Sequence, residues 1–141
     1  VCEALPAGAP SVIVSGRRID DVAPLYAATD VLVLPTYREG LPTVVLEAQS
    51  MARPVVTTRV PGCLEACIDG ETALLVPAGE VEALADAICR YVASETLRTE
   101  HGAAGREFVS RAFRREAVWE ATLQLYARLM DGTPRGAEAV S

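Results

Sequence analysis

Two kinds of apolar patterning alternate along the chain. Short unbroken apolar runs fall at residues 11–15, 31–34, 55–57 and 72–76, and such runs read as buried strands. Between and after them, apolar positions recur every three or four residues, as on one face of a helix. Val22, Leu25 and Tyr26 predict a short helix over 21–28. Leu41, Val44, Val45, Ala48, Met51 and Ala52 predict a helix opening near Pro42 and stopped by Arg53-Pro54. A turn over 60–63 leads into a short helical stretch over 64–68. Val81, Leu84, Ala85, Ile88 and Val92 mark a helix over 80–93. Ser94 is placed to cap the next one, over 95–111, in which Gly102 and Gly105 read as weak points. Val118, Leu125 and Leu129 mark a last helix over 114–130, with Trp119 and Tyr126 as packing anchors. Short buried strands alternating with helices predict an α/β fold: a Rossmann-like parallel sheet with flanking helices and a helical C-terminus. Residues 1–10 read as a disordered segment or linker, 11–130 as one partial domain, and 131–141 as a disordered tail.

The stretch Tyr37-Arg38-Glu39-Gly40-Leu41-Pro42-Thr43-Val44-Val45-Leu46-Glu47 organises the rest. A strand, a glycine turn and a helix in this order bring backbone N–H groups and a helix N-terminus to an anionic ligand. Gly40 allows close approach of a ligand and strained backbone angles. Pro42 has no N–H to leave unpaired and suits the first helical turn. Glu47 lies off the apolar face, in line with Thr43 and Ser50. Glu39 precedes the helix. Along a helix axis the two carboxylates would stand up to ~12 Å apart. That is too far to share a proton, and a suitable span for the two ends of an elongated polar ligand such as a nucleotide sugar. Carboxylates accept paired hydroxyls. The plainer alternative is a charge at a helix start and a solvated polar-face glutamate.

Composition narrows the classes. Half of the 141 residues are apolar and 23% are charged, which suits one globular domain. The net charge of −6 argues against a nucleic-acid partner. No apolar run approaches the ~20 residues of a membrane-spanning helix, and no secretory signal pattern stands at the start. The expected location is cytoplasmic, or peripheral to the inner face of a membrane. Cys2, Cys63, Cys67 and Cys89 lack metal-ligand spacing and are expected as small reduced thiols. His101, the one histidine, is expected at a solvated helix surface. No metal site and no cofactor are expected.

Five ordered blocks carry a resemblance. They are Leu25-Tyr26-Ala27-Ala28-Thr29-Asp30 running into Val31–Pro35, then Glu39-Gly40-Leu41-Pro42 to Glu47-Ala48, then Ala52-Arg53-Pro54-Val55-Val56-Thr57-Thr58. Val60-Pro61-Gly62-Cys63-Leu64-Glu65 and Asp69-Gly70-Glu71-Thr72-Ala73-Leu74-Leu75-Val76 follow. From about Val12 to Met130 the chain resembles the C-terminal, donor-binding half of a GT-B retaining glycosyltransferase of family 4, the glycosyl transferases group 1. The resemblance implies Glu39 at the transferred hexose, as the catalytic-site carboxylate, in donor positioning and electrostatics. It implies Gly40, Leu41, Pro42 and Thr43 as a backbone cradle for hexose and diphosphate, and Glu47 at the ribose hydroxyls. It implies a nucleotide-diphosphate sugar as donor, with UDP-sugars favoured by the Glu39–Pro42 and Val60–Cys63 blocks, and no divalent ion. Arg17 and Arg18 would lie near phosphate or base, or in a solvated loop.

The departures from the family pattern are as informative. The acceptor-binding N-terminal domain is absent from this sequence. So are the first strand–helix units of the donor domain, where the family keeps an Arg/Lys pair for the diphosphate. All 13 basic residues are arginine. The chain is therefore read as an incomplete half that does not transfer sugar alone; a second domain or chain would complete the cleft and bind a glycan or lipid-linked acceptor. The implied role is envelope polysaccharide biosynthesis. A non-catalytic nucleotide-sugar-binding module, or half of a split enzyme, is the alternative. A different doubly wound domain ranks last, since no Gly-x-Gly-x-x-Gly opens a helix.

Overall fold

The computed structural model describes residues 21–130. The expected strand at 11–15, Arg17, Arg18, Cys2, the linker and the tail lie outside the described residues. The elements in order are α1 (Ala23–Ala28), β1 (Leu32–Leu34), α2 (Thr43–Ser50), β2 (Val55–Thr58), α3 (Pro61–Ala66), β3 (Ala73–Val76), α4 (Val81–Ala93), α5 (Glu95–Ala112) and α6 (Arg115–Met130).

The three strands form one parallel sheet in the order β1-β2-β3, with Val33 beside Val56 and Val56 beside Leu74. Parallel neighbours need a crossover, and α2 and α3 supply the two. β2 and β3 are buried along their whole length, as expected of strands covered on both faces. β1, at the edge among the described strands, is half-buried.

The alternation of side chains splits the core in two. Val55, Ala73 and Leu75 pack with Val45 and Ala48 of α2 and with Ala66 and Cys67 at the end of α3. Val56, Leu74 and Val76 face the other way, against Ala87 and Tyr91 of α4. Each fully buried Val contributes about 1.5–3 kcal/mol, so both helix layers are bound to the sheet largely by aliphatic contact. The predicted α/β fold and its parallel sheet are present.

Several local expectations change. Gly102 and Gly105 do not weaken α5, which runs unbroken through both. They are buried because the helix comes close to its neighbour there. A Cβ at Gly102 would stand 2.2 Å from the Ala52 carbonyl oxygen, and one at Gly105 would stand 3.0 Å from Gln49. His101 is not a solvated surface group. It is 6% exposed and its Nδ1 shares a 2.8 Å hydrogen bond with the Tyr91 hydroxyl. α3 begins at Pro61, three residues before the expected helical stretch, because proline is well tolerated in a first turn. Cys63 and Cys67 are buried free thiols as expected, and burial pushes the Cys67 thiol up to about 12. Cys89 departs from that expectation and is disulfide-bonded. Ser94 does cap α5: its Oγ accepts the Leu97 N–H at 3.1 Å.

The chain divides into two compact units, Val1–Val109 and Ser110–Ser141. The sheet and α1–α4 belong to the first. α6 belongs to the second, where Trp119 and Tyr126 are exposed over more than half their surface. No helix among the described residues is long and apolar enough to cross a membrane.

Candidate donor-binding site

β1 ends at Leu34, and the chain turns through residues 35–42 before α2 begins. This loop lies at the carboxyl edge of the sheet, where open α/β sheets bind ligands. Glu39 is half-buried in it, and Gly40 is exposed. Nothing stands within 4 Å of where a Gly40 Cβ would be. Gly40 is not among the positive-φ glycines, so the expected strained angles are not needed there. What Gly40 leaves is open space beside the loop backbone.

The loop is closed by a different glycine. A Cβ on Gly62 would stand 1.5 Å from the Gly40 carbonyl oxygen and 2.8 Å from that of Glu39. The start of α3 is thus pressed onto the Glu39–Gly40 backbone, and glycine is the residue that permits it. Thr58 reinforces the same edge: its Oγ1 donates to the Thr36 carbonyl oxygen, and the Thr36 N–H donates back to it at 3.2 Å.

Pro42 is buried and caps α2 with its backbone: its carbonyl accepts the N–H groups of Val45 at 3.0 Å and Leu46 at 3.3 Å. It stands one position before the helix, at a boundary that shifts by a residue with definition. No side chain caps this end. With Val45 and Leu46 bonded to Pro42, the N–H groups of Thr43 and Val44 are the ones without an acceptor inside the helix. Thr43 is exposed at the first helical position, and Leu41 is 43% exposed just before it.

Four residues on, Glu47 is also exposed, on the same face as Thr43. The expected apolar face is narrower than the six positions read from spacing: Val45 and Ala48 are buried, together with Gln49. Gln49 donates from Nε2 to the Ala66 carbonyl at 2.8 Å, which ties α2 to α3. α2 ends at Ser50 with Met51 as its C-cap, and Ala52, with a φ of 55°, turns the backbone left-handed one residue before Arg53.

Two contacts tie this region to α1. The Tyr26 hydroxyl of α1 donates to Glu47 Oε2 at 2.8 Å, and Arg53 Nη2 donates to the Ala27 carbonyl at 3.1 Å. The helical spacing marks Tyr26 only as an apolar position. Its hydroxyl, alone among small and aliphatic side chains in α1, was the available signal.

Glu39, Gly40, Leu41, Pro42, Thr43 and Glu47 thus lie along one continuous loop and helix. A cavity of 100 Å³ lies between the strand ends and α4, lined by Tyr37, Thr58, Val76, Pro77, Val81 and Leu84 among others. It is well below the ~300 Å³ of ordinary ligand pockets and includes none of the six. Among the described residues no cluster of His, Cys, Asp and Glu could hold a metal ion.

The family model of the glycosyl transferases group 1 matches residues 2–94. The chain belongs to this family. It is 34% identical over 117 residues to the capsular polysaccharide biosynthesis glycosyltransferase CapM of Staphylococcus aureus, covering 83% of this chain and 30% of CapM. Sucrose-phosphate synthase from Thermosynechococcus elongatus superposes with a TM-score of 0.75 at 37% identity, over 79% of this chain and 28% of the synthase. The C-terminal domain of the glycosyl transferase group 1 family protein LpcC from Francisella tularensis has the same fold. Its TM-score is 0.63 at 22% identity, over 75% of this chain and 53% of that one. The sequence therefore spans less than a third of the length of CapM and of the synthase. Its architecture is that of a GT-B donor-side half in part.

Proposed function

We propose that this chain is the donor-binding part of a retaining glycosyltransferase. The enzyme would transfer a hexose or N-acetylhexosamine from a UDP-sugar to a glycan or lipid-linked acceptor in envelope polysaccharide biosynthesis. The observation that carries the reading is the layout at the carboxyl edge of the sheet: Glu39, an unobstructed Gly40 and an uncapped helix start stand in sequence, with Glu47 exposed one turn into α2. CapM, a capsular polysaccharide enzyme, supports the setting.

In this reading the diphosphate lies against the N-terminal turn of α2. There the free N–H groups and the helix dipole offset its charge. The ribose diol hydrogen-bonds to Glu47. The hexose rests over Gly40, whose missing side chain lets the sugar approach the backbone, and Glu39 reaches its hydroxyls. During transfer the bond from C1 to the diphosphate breaks and positive charge builds on the sugar ring. A carboxylate held beside it stabilises that charge more than the ground state. In this reading the acceptor and the far wall of the cleft would come from the rest of the protein. No metal or cofactor enters this reading.

The test is transfer by the full-length protein from a UDP-hexose, with the anomeric configuration of the product read by NMR. Retention, lost by more than about a hundredfold in Glu39→Ala, is the expected result. An inverted product, or full activity in the variant, would reject the reading.

A further inference from the structure

We propose that Tyr26 is a positioning residue that holds the Glu47 carboxylate in place for the ribose diol. This rests on the reading of Glu47 as the ribose contact and adds a residue to it.

Glu47 is exposed on α2, and a free glutamate at such a position samples many rotamers. Here one of its oxygens is fixed. The Tyr26 hydroxyl has one proton and two acceptors in reach: Glu47 Oε2 at 2.8 Å and the Val44 carbonyl at 3.4 Å. The shorter contact, to a charged acceptor, takes the proton. The phenol is pushed up to about 12, first by burial and then by Glu47, so it remains a donor at neutral pH.

Tyr26 is itself anchored. Its ring packs against the core cluster that contains Val45 and Ala48 of α2. The helix that carries it is tied to the far end of α2 through Arg53 and the Ala27 carbonyl. The donor and the carboxylate therefore sit on two elements joined at two points. A carboxylate has about four acceptor sites. Tyr26 uses one, and the rest suffice for two adjacent hydroxyls. A diol meeting a preset carboxylate loses less freedom on binding than one that must first order it.

The test is calorimetry on the full-length protein with UDP and with 2′,3′-dideoxy-UDP, for the wild type, Tyr26→Phe, Glu47→Ala and the double variant. Phenylalanine keeps the ring and its packing. Tyr26→Phe is expected to bind UDP about tenfold more weakly, to bind the dideoxy analogue as the wild type does, and to add nothing once Glu47 is alanine. Equal loss for both nucleotides would show a role in packing alone and would overturn the proposal. So would unchanged UDP affinity. If Glu47→Ala leaves UDP affinity intact, or the wild type does not distinguish the two nucleotides, the ribose reading fails, and the positioning role with it.

Discussion

Gly62→Ala tests the contact that closes the loop between β1 and α2, the proposed donor loop. The added Cβ would lie 1.5 Å from the Gly40 carbonyl oxygen. That is about 1.8 Å short of the roughly 3.3 Å at which carbon and oxygen meet comfortably. The obstacle is backbone on both sides, the start of α3 and the Glu39–Gly40 segment, so no flexible side-chain end can swing aside. Overpacking a fitted interior costs about 1–3 kcal/mol, and a clash of this depth belongs at the upper end. Against it stands a gain of about 1 kcal/mol, because alanine is the better helix former and Gly62 is inside α3. The expected net loss is about 2 kcal/mol in urea unfolding, with weaker nucleotide binding as Glu39 and Gly40 shift. Gly40→Ala is the matched control. Nothing obstructs a Cβ there and its φ is ordinary, so stability should stay within about 0.5 kcal/mol while binding falls. A Gly62→Ala protein as stable as its parent would show that α3 does not brace the loop as described.

Other substitutions probe the scaffold. Ala52→Gly should raise stability by up to about 1 kcal/mol in chemical denaturation, since Ala52 has a φ of 55° that glycine adopts without cost. Gln49→Ala should lower stability by about 2–3 kcal/mol, because it leaves the buried Ala66 carbonyl unpaired and opens space beside Gly105; equilibrium unfolding reads it. Burial first, and then Arg90, hold His101 below its usual range, so the unfolded chain takes up its proton more readily than the folded one. Its contribution to stability should be complete above about pH 6.5 and fall as the pH drops toward the lower folded value. The slope should not exceed about 1.4 kcal/mol per pH unit, and it should be absent in His101→Gln.

The three described strands and most helices were legible because two periods, unbroken apolar runs and three-to-four spacing, map directly onto buried strands and one-sided helices. The position of Glu39 before α2 and the exposure of Glu47 followed from the same pattern. The close approaches were not legible. Gly102 and Gly105 read as breaks because a sequence shows what a glycine costs a helix and not the Ala52 and Gln49 neighbours that require it. His101 read as solvated because its neighbours are polar, while its partner Tyr91 is on another helix. Tyr26 and Glu47 are 21 residues apart, beyond any local rule. Gly40 drew attention that belonged in part to Gly62, since the pressure on the loop comes from a later element.

Nucleotide binding tests the central claim most directly. Calorimetric titration with UDP, then GDP and ADP, should show binding with UDP preferred, and Glu47→Ala should weaken it by about tenfold or more. A folded protein that binds none of the three, or binds UDP equally well without the Glu47 carboxylate, would contradict the assignment of α2 and its preceding loop as the donor site.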